Sequence, residues 1–465
     1  MLRASAVAEK IGVPTVSIIA SAFIKQAALV SSGIGMRFAV AEYPGAPMVD
    51  SQKELRAKVE NNLFPEIVKG LTSDTGSQLG KAVTEPEPGC VVFKGTLDEV
   101  EEYFHRQLWS DGLPIIPPTR ERIDAFLQFT ERDLRQVLAV LPQEGREASI
   151  SSIAVNGVMA GCRPEYMPVL IAIVEAMSDP EFRIEDCGAT WGWEPMVIIS
   201  GPIINELGFN YGQGVMRIGR QANSSIGRFV RMFLRNICGY RIAPGTGDKG
   251  SIGSTFNVTL AEDEDWVRKI GWPTYGEDVG FKPGENVVTV QSVMCISAPA
   301  YSAGDSAIEH VQQFVDVFGS AFSSACYGGI KRGRWHPLVL IGPGIAQVIA
   351  KEWSKEQVRY YMSENMTMPA SRIRHFNKHN SGHNMDFDSI VEEGTLPGRY
   401  IASDDPDQLV PMIVKPAHIG LVVAGDPGRN QSRGYMSNNV QGTPTSRRVE
   451  LPRGWNQLLE RTLEK

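Results

Sequence analysis

The chain has 465 residues, enough for two to three domains with proper cores. With 42% apolar and 21% charged residues it has the composition of an ordinary soluble protein, and a net charge of −7 without a long basic run argues against a nucleic-acid partner. The longest apolar stretches, such as residues 167–174, fall far short of a membrane span, so no membrane partner is expected.

Glycine departs from the average: 46 residues, about a tenth of the chain against a usual share near 7%. That level predicts many tight turns, as in α/β enzymes with functional loops. Glu9 and Lys10 precede the apolar residues 13–23 and no small-residue cleavage pattern follows, so a secretory signal is not expected. The cysteines, at 90, 162, 187, 238, 295 and 326, are widely spread with no CxxC, and read as free thiols of a reducing cytoplasm.

In chain order, residues 1–72 read as a small α/β unit: a strand at 15–19, a helix from 21 to about 32, a strand at 37–42 closed by Tyr43-Pro44-Gly45, and a helix from 51 to about 70. Residues 73–92, rich in Ser, Thr, Gly, Pro and Glu, read as a linker. The main body, 93–440, opens on the capping box Thr96-Leu97-Asp98-Glu99, with its helix ending near Trp109. A proline-rich loop over 110–119 follows and holds Asp111; Thr119 caps the next helix. Residues 151–161 and 164–177 read as two helices interrupted at Cys162-Arg163, and 220–238 as a long helix followed by a glycine loop at 245–253. A strand at 286–297, a helix at 306–325 and a capping box at Ser354-Lys355-Glu356-Gln357 come next. The late strand 419–424 ends in Gly425-Asp426-Pro427-Gly428 and reads as a degenerate strand-turn unit; the polar residues 441–465 read as a tail or oligomer arm.

One segment occurs twice. Trp193-Glu194-Pro195-Met196-Val197-Ile198-Ile199-Ser200-Gly201-Pro202 recurs, with one deletion, as Trp335-His336-Pro337-Leu338-Val339-Leu340-Ile341-Gly342-Pro343. Each copy is a short apolar strand ending in Gly-Pro, where Gly permits a sharp turn and Pro suits the first helical position. The fold expected is therefore mixed α/β, with a repeated strand-turn-helix unit forming two related lobes beside the small N-terminal unit. Strand carboxyl ends and helix amino ends share one crevice in such units, which places an anionic ligand near Gly201 and Gly342.

Four constellations could carry chemistry. In the stretch 156–166, Pro164 puts Cys162 just before a helix amino terminus, where the dipole favours a thiolate, with Glu165 and Tyr166 as proton-transfer groups and Asn156 nearby. The structural alternative is a small-residue helix contact around a core cysteine. Arg228, Arg231 and Arg235 share a helix face behind Arg220 and Asn223, a donor set suited to a carboxylate or phosphate, or else a salt-bridged face. His375, His379 and His383 follow a four-residue spacing suited to a divalent metal, although Asn380-Ser381-Gly382 interrupts the helix before the third. Residues 245–250 match G-x-G-x-x-G in the wrong order for dinucleotide binding, so no nucleotide or flavin cofactor is expected. Asp111 is a candidate fixed carboxylate, with turn capping as its structural alternative.

Residues 9–16 through Phe23, ending at Tyr43-Pro44-Gly45, resemble part of the UGSC-like family of cysteine or selenocysteine proteins. Residues 109–114 and 156–166, with Gly201-Pro202 and 220–228, resemble a large bacterial protein associated with that family. The resemblance implies thiol- or selenol-linked chemistry. The family's Cys-Gly-Ser-Cys element belongs before the part matched by residues 1–45 and is absent from this sequence, which implies a separate cysteine-bearing subunit or a protein working without it.

Three functions follow. The first is an enzyme acting on a small anionic organic molecule by thiolate or acid-base chemistry (lyase, hydrolase or redox), with Cys162, Glu165, Tyr166 and Asp111 catalytic and Asn156, Gly201, Arg220, Asn223, Arg228 and Gly342 binding substrate. The second is a metal-dependent enzyme using His375, His379 and His383. The third is a non-catalytic subunit completing a cysteine-bearing partner; a homo-oligomer or such a heteromer is the assembly expected.

Overall fold

The computed structural model describes residues 2–47, 49–73, 89–141, 145–186, 193–241, 258–382, 384–401, 405, 407–437 and 442–463. Two units are distinguished by their internal contacts: Met1–Pro114 with Val137–Ser152 and Phe233–Asp248, and Ile115–Gln136 with Ile153–Met232 and Lys249–Lys465. The expected division at 73–92 is thus redrawn, since later segments join the N-terminal unit.

In the first unit, β1 (Val16–Ala20) and β2 (Ala39–Tyr43) run parallel, Val16 opposite Ala39, joined by the helix Ile24–Ile34. Parallel strands need cover on both faces. Leu2, Ile19 and Ala27 form one small cluster, and Ala41, Tyr43 and Leu63 another. Thr96 and Glu99 make the predicted capping box at the start of Leu97–Arg106. A hairpin of β3 (Val137–Leu141) and β4 (Arg146–Ser149) also belongs here.

The second unit carries the repeat. Its strands are β5 (Glu194–Ser200), β6 (Leu260–Ala261), β7 (Val287–Val293), β8 (Cys295–Ile296), β9 (Ala300–Tyr301), β10 (Leu338–Ile341), β11 (Thr367–Pro369), β12 (Leu409–Pro411), β13 (Gly420–Val423), β14 (Gln431–Met436) and β15 (Thr445–Arg448). The twin segments are β5 and β10, each leading through Gly-Pro into a helix, Ile203–Glu206 and Pro343–Ala350. Both copies have the same neighbours. β5 lies between parallel β6 and antiparallel β7; β10 lies between parallel β13 and antiparallel β14. Both tryptophans are buried and donate their indole N–H to a backbone carbonyl, Trp193 to Asp186 and Trp335 to Ser437. The two lobes read from the sequence are therefore two β-α-β-β repeats.

The repeats also exchange strands. After β7 the chain continues into β8, which pairs with β14 of the second repeat, Cys295 opposite Met436. After β14 it reaches β15, which pairs with β7 of the first, Thr445 opposite Val290. One core joins both sheets, with Met196, Ile198, Leu260 and Val293 packed with Leu338, Leu340, Val422 and Tyr435.

Two expectations are corrected here. The residues expected as a tail are structural: 445–448 complete a sheet, and the helix Trp455–Leu463 places Trp455 edge-on against Phe129, ring centroids 6.0 Å apart. The late strand is not a third strand-turn-helix unit. β13 is the parallel partner of β10, and the turn after it reverses the chain into antiparallel β14 instead of opening a helix.

Candidate functional site

The helix Ile150–Ala160 stops at Gly161, whose φ of +81° suits glycine, and the Cys162 amide donates back to the Gly157 carbonyl at 3.0 Å. The chain then enters a single 3-10 turn, Pro164–Tyr166, before the apolar helix Met167–Met177. Gln221, at the start of the helix Gln221–Asn236, donates to the Gly161 carbonyl at 3.3 Å, so that helix lies against the turn. The result is a cluster of Cys162, Arg163, Glu165, Tyr166, Ser225 and Arg228.

Cys162 is buried, and its thiol is hydrogen-bonded with Ser225. Burial pushes the thiol up to about 12, while Ser225 and the nearby Arg228 pull the other way without prevailing. The thiolate expected at a helix amino end is therefore corrected to a neutral thiol: a single 3-10 turn offers little dipole, and desolvation by two helices outweighs it. A thiol reagent applied to the native protein at pH 8 is expected to label exposed Cys90 first and to spare Cys162 until unfolding; rapid labelling of Cys162 would contradict this.

Glu165 is only 3% exposed. Its Oε1 pairs with the Arg163 guanidinium, and its Oε2 is buried with no hydrogen-bond partner among the described residues. A buried carboxylate oxygen in that state is costly unless something else satisfies it. Tyr166, also buried, is held above its ordinary range by desolvation, opposed by Arg163 and reinforced by Glu165 and Cys162. Asn156 is buried in the preceding helix.

The other expected residues fall elsewhere. Arg220 is exposed before its helix. Asn223 is fully buried, but its amide is consumed: Nδ2 donates to the Asn210 and Thr259 carbonyls at 3.0 and 2.8 Å, and Oδ1 accepts the Asn210 N–H at 2.8 Å. It braces two loops and is corrected from a substrate ligand to a structural residue. Arg231 pairs with Glu194 at 3.0 Å and Arg235 donates to the Leu108 carbonyl at 2.8 Å, so both serve the fold; Arg228 alone of the three accompanies Cys162. Asp111, in the first unit, accepts the Leu113 N–H at 3.4 Å within a turn, the capping role foreseen as its alternative.

Gly201 and Gly342 are corrected too, because the chain fills the crevice it was expected to leave for a ligand. The Gly201 amide donates to Glu264 Oε1 at 2.5 Å and the Ile203 amide to Asn286 Oδ1 at 2.9 Å, so the protein's own groups take the anion's place. At Gly342 the Gln431 carbonyl lies 2.7 Å from where a Cβ would stand.

His375 and His379 sit one turn apart on Ala370–Ser381, ring centroids 4.3 Å apart, and Gly382 ends that helix at φ +74°, the interruption expected. His383, Cys187 and the loop 245–253 lie outside the described residues. Among the described residues no group of three or more His, Cys, Asp or Glu is placed to hold a metal ion.

Sequence reasoning missed two clusters, both assembled from distant positions. Glu262, Asp278, Lys355 and Arg359 form a buried charge network, with Lys355 Nζ 2.8 Å from Asp278 and 3.9 Å from Glu262. His336 and His418 lie side by side with ring centroids 4.5 Å apart. The one available signal was His336 inside the repeated segment. No family model, curated protein or solved structure matches this chain.

Proposed function

We propose that the chain is a cytoplasmic enzyme that acts on a small anionic organic molecule by proton transfer at the Cys162 cluster, in the manner of a lyase or hydrolase. The observation that carries this reading is the buried, partnerless Oε2 of Glu165, fixed through its other oxygen by Arg163. A carboxylate so placed is suited to act as general base, and Tyr166, held protonated by burial, as acid. Arg228 and Arg163 supply the positive charge that favours a carboxylate or phosphate group on the substrate. Cys162, as a neutral thiol bonded with Ser225, shapes the site in its resting state and becomes a nucleophile only if a base removes its proton. The five described cysteines are free thiols, which fits a reducing compartment, and no helix among the described residues is long and apolar enough to cross a membrane.

Succinate is the probe of choice. It is expected to raise the melting temperature of the wild type, with the shift lost in Arg228→Met. For a substrate of this class, Glu165→Gln is expected to lower kcat by roughly 10²–10⁴-fold while the melting temperature stays within a few degrees. A Glu165→Gln enzyme of full activity would remove Glu165 from the chemistry. Absence of any thermal shift across mono- and dicarboxylates would sink the anionic substrate.

A further inference from the structure

His336 stands two residues before β10, and His418 closes the turn Pro416–His418 that precedes β13. The parallel pairing of those strands brings the two rings together, centroids 4.5 Å apart and planes tilted by 47°. Their backbones are pinned. The His336 N–H donates to Ser437 Oγ at 3.1 Å, the His336 carbonyl accepts from Gln291 Nε2 at 2.8 Å, and the His418 N–H donates to the Lys415 carbonyl at 3.1 Å. Both residues are half-buried. Yet His336 Nε2 and His418 Nδ1 are each buried with no hydrogen-bond partner among the described residues. Two polar atoms side by side in that condition want a third party.

The charges around the pair say which kind. Arg334 bears on both rings and Lys415 on His418, and both are cationic; Arg334 is also paired with Glu181 at 3.7 Å. Burial, then the His418 ring and Arg334, lowers His336 to about 3; burial, then Lys415 and Arg334, lowers His418 to about 4. At neutral pH the pair is therefore two uncharged imidazoles, each able to present an N–H from its buried nitrogen. A metal dication would meet two positive side chains and only two ligands, whereas an acceptor of negative charge would meet two N–H donors and two cations.

We propose that His336 and His418, flanked by Arg334 and Lys415, form a binding site for a small oxyanion, a phosphate or carboxylate group. The site is independent of the reading given to Cys162. Its occupant bridges the two imidazole N–H groups and neutralises the flanking cations, which couples β10 and β13 at their amino ends. Because an anion favours the imidazolium, binding also raises the affinity of both rings for a proton.

The test is a histidine NMR titration of the full chain with inorganic phosphate at constant ionic strength, with the two signals assigned by His336→Gln and His418→Gln. Two histidine resonances are expected to shift together and to saturate. Arg334→Ala and Lys415→Ala, which change side chains at the surface, are expected to weaken phosphate at least tenfold, while Arg228→Met leaves the titration unchanged. Acetate titrated in the same way identifies the source: tighter binding of acetate assigns a carboxylate ligand, tighter binding of phosphate a phosphate ligand, and either supports the site. Shifts that sodium chloride reproduces, or a titration undiminished by Arg334→Ala and Lys415→Ala, would overturn it. So would stoichiometric zinc moving both signals where phosphate moves neither.

Discussion

Lys355→Met is expected to destabilise the second unit by about 3–5 kcal/mol, the range for breaking a buried ion network by removing one partner. The Lys355 side chain is completely buried between Asp278 and Glu262. Asp278 keeps a partner in the variant, since Arg359 reaches it at 2.7 Å. Glu262 keeps only neutral donors. It accepts the Tyr275 N–H at 2.5 Å and the Val423 N–H at 3.4 Å, but burial already pushes it up to about 7, and Lys355 is the cation that opposes that rise. Without Lys355 it rises further and stays protonated. The folded state then holds a proton that the unfolded chain releases near the ordinary carboxyl range, so stability falls as pH climbs through that interval, and the interval widens in the variant. Urea unfolding at pH 6 and pH 8 reads this directly. The variant's deficit is expected to be larger at pH 8, and a deficit independent of pH would mean that Lys355 acts through packing alone.

Gly201→Ala is expected to be the second severe change, at about 3–5 kcal/mol, against about 1–3 kcal/mol for Gly342→Ala. The two glycines occupy equivalent places in the repeat, but their backbones differ. Gly201 has φ +102°, a conformation that side chains rarely adopt, and a Cβ there would stand 2.4 Å from the Glu285 carbonyl oxygen and 2.7 Å from Asn286 Cα. Gly342 has an ordinary extended backbone, φ −61°, and meets only the Gln431 and Arg429 carbonyls. Strain therefore adds to crowding at Gly201 and crowding acts alone at Gly342. Equal losses in thermal unfolding of the two variants would show that backbone strain contributes nothing, and a harmless Gly201→Ala would restore that position as a free edge for a ligand.

What could be read from the sequence was what neighbouring residues decide. The Trp-to-Gly-Pro strands, the caps at Thr96, Thr119 and Ser354, and the break at Cys162-Arg163 each depend on a few consecutive side chains, and each forms as expected. The state of Cys162 depends on Ser225 and Arg228, from a helix sixty residues on, and on the burial that this packing produces; proximity to Pro164 alone gave the wrong sign. β15 was invisible because Thr-Ser-Arg-Arg carries no apolar alternation. Its place in the sheet comes from backbone pairing with β7 and from Thr445 Oγ1, which donates to the Ala176 carbonyl at 2.7 Å. The buried lysine was equally hidden, since a lysine at the first position of a capped helix is ordinarily in water.

The strand exchange bears on how the chain is made. Ribosomes deliver the first repeat long before β15, which closes its sheet, exists. At ordinary elongation rates β7 waits on the order of ten seconds with an open, apolar edge, the kind of surface that recruits stray strands and chaperones. β14 has no such delay, because β8 is already present when it emerges. Premature termination before residue 445 would leave the β7 edge uncovered for good.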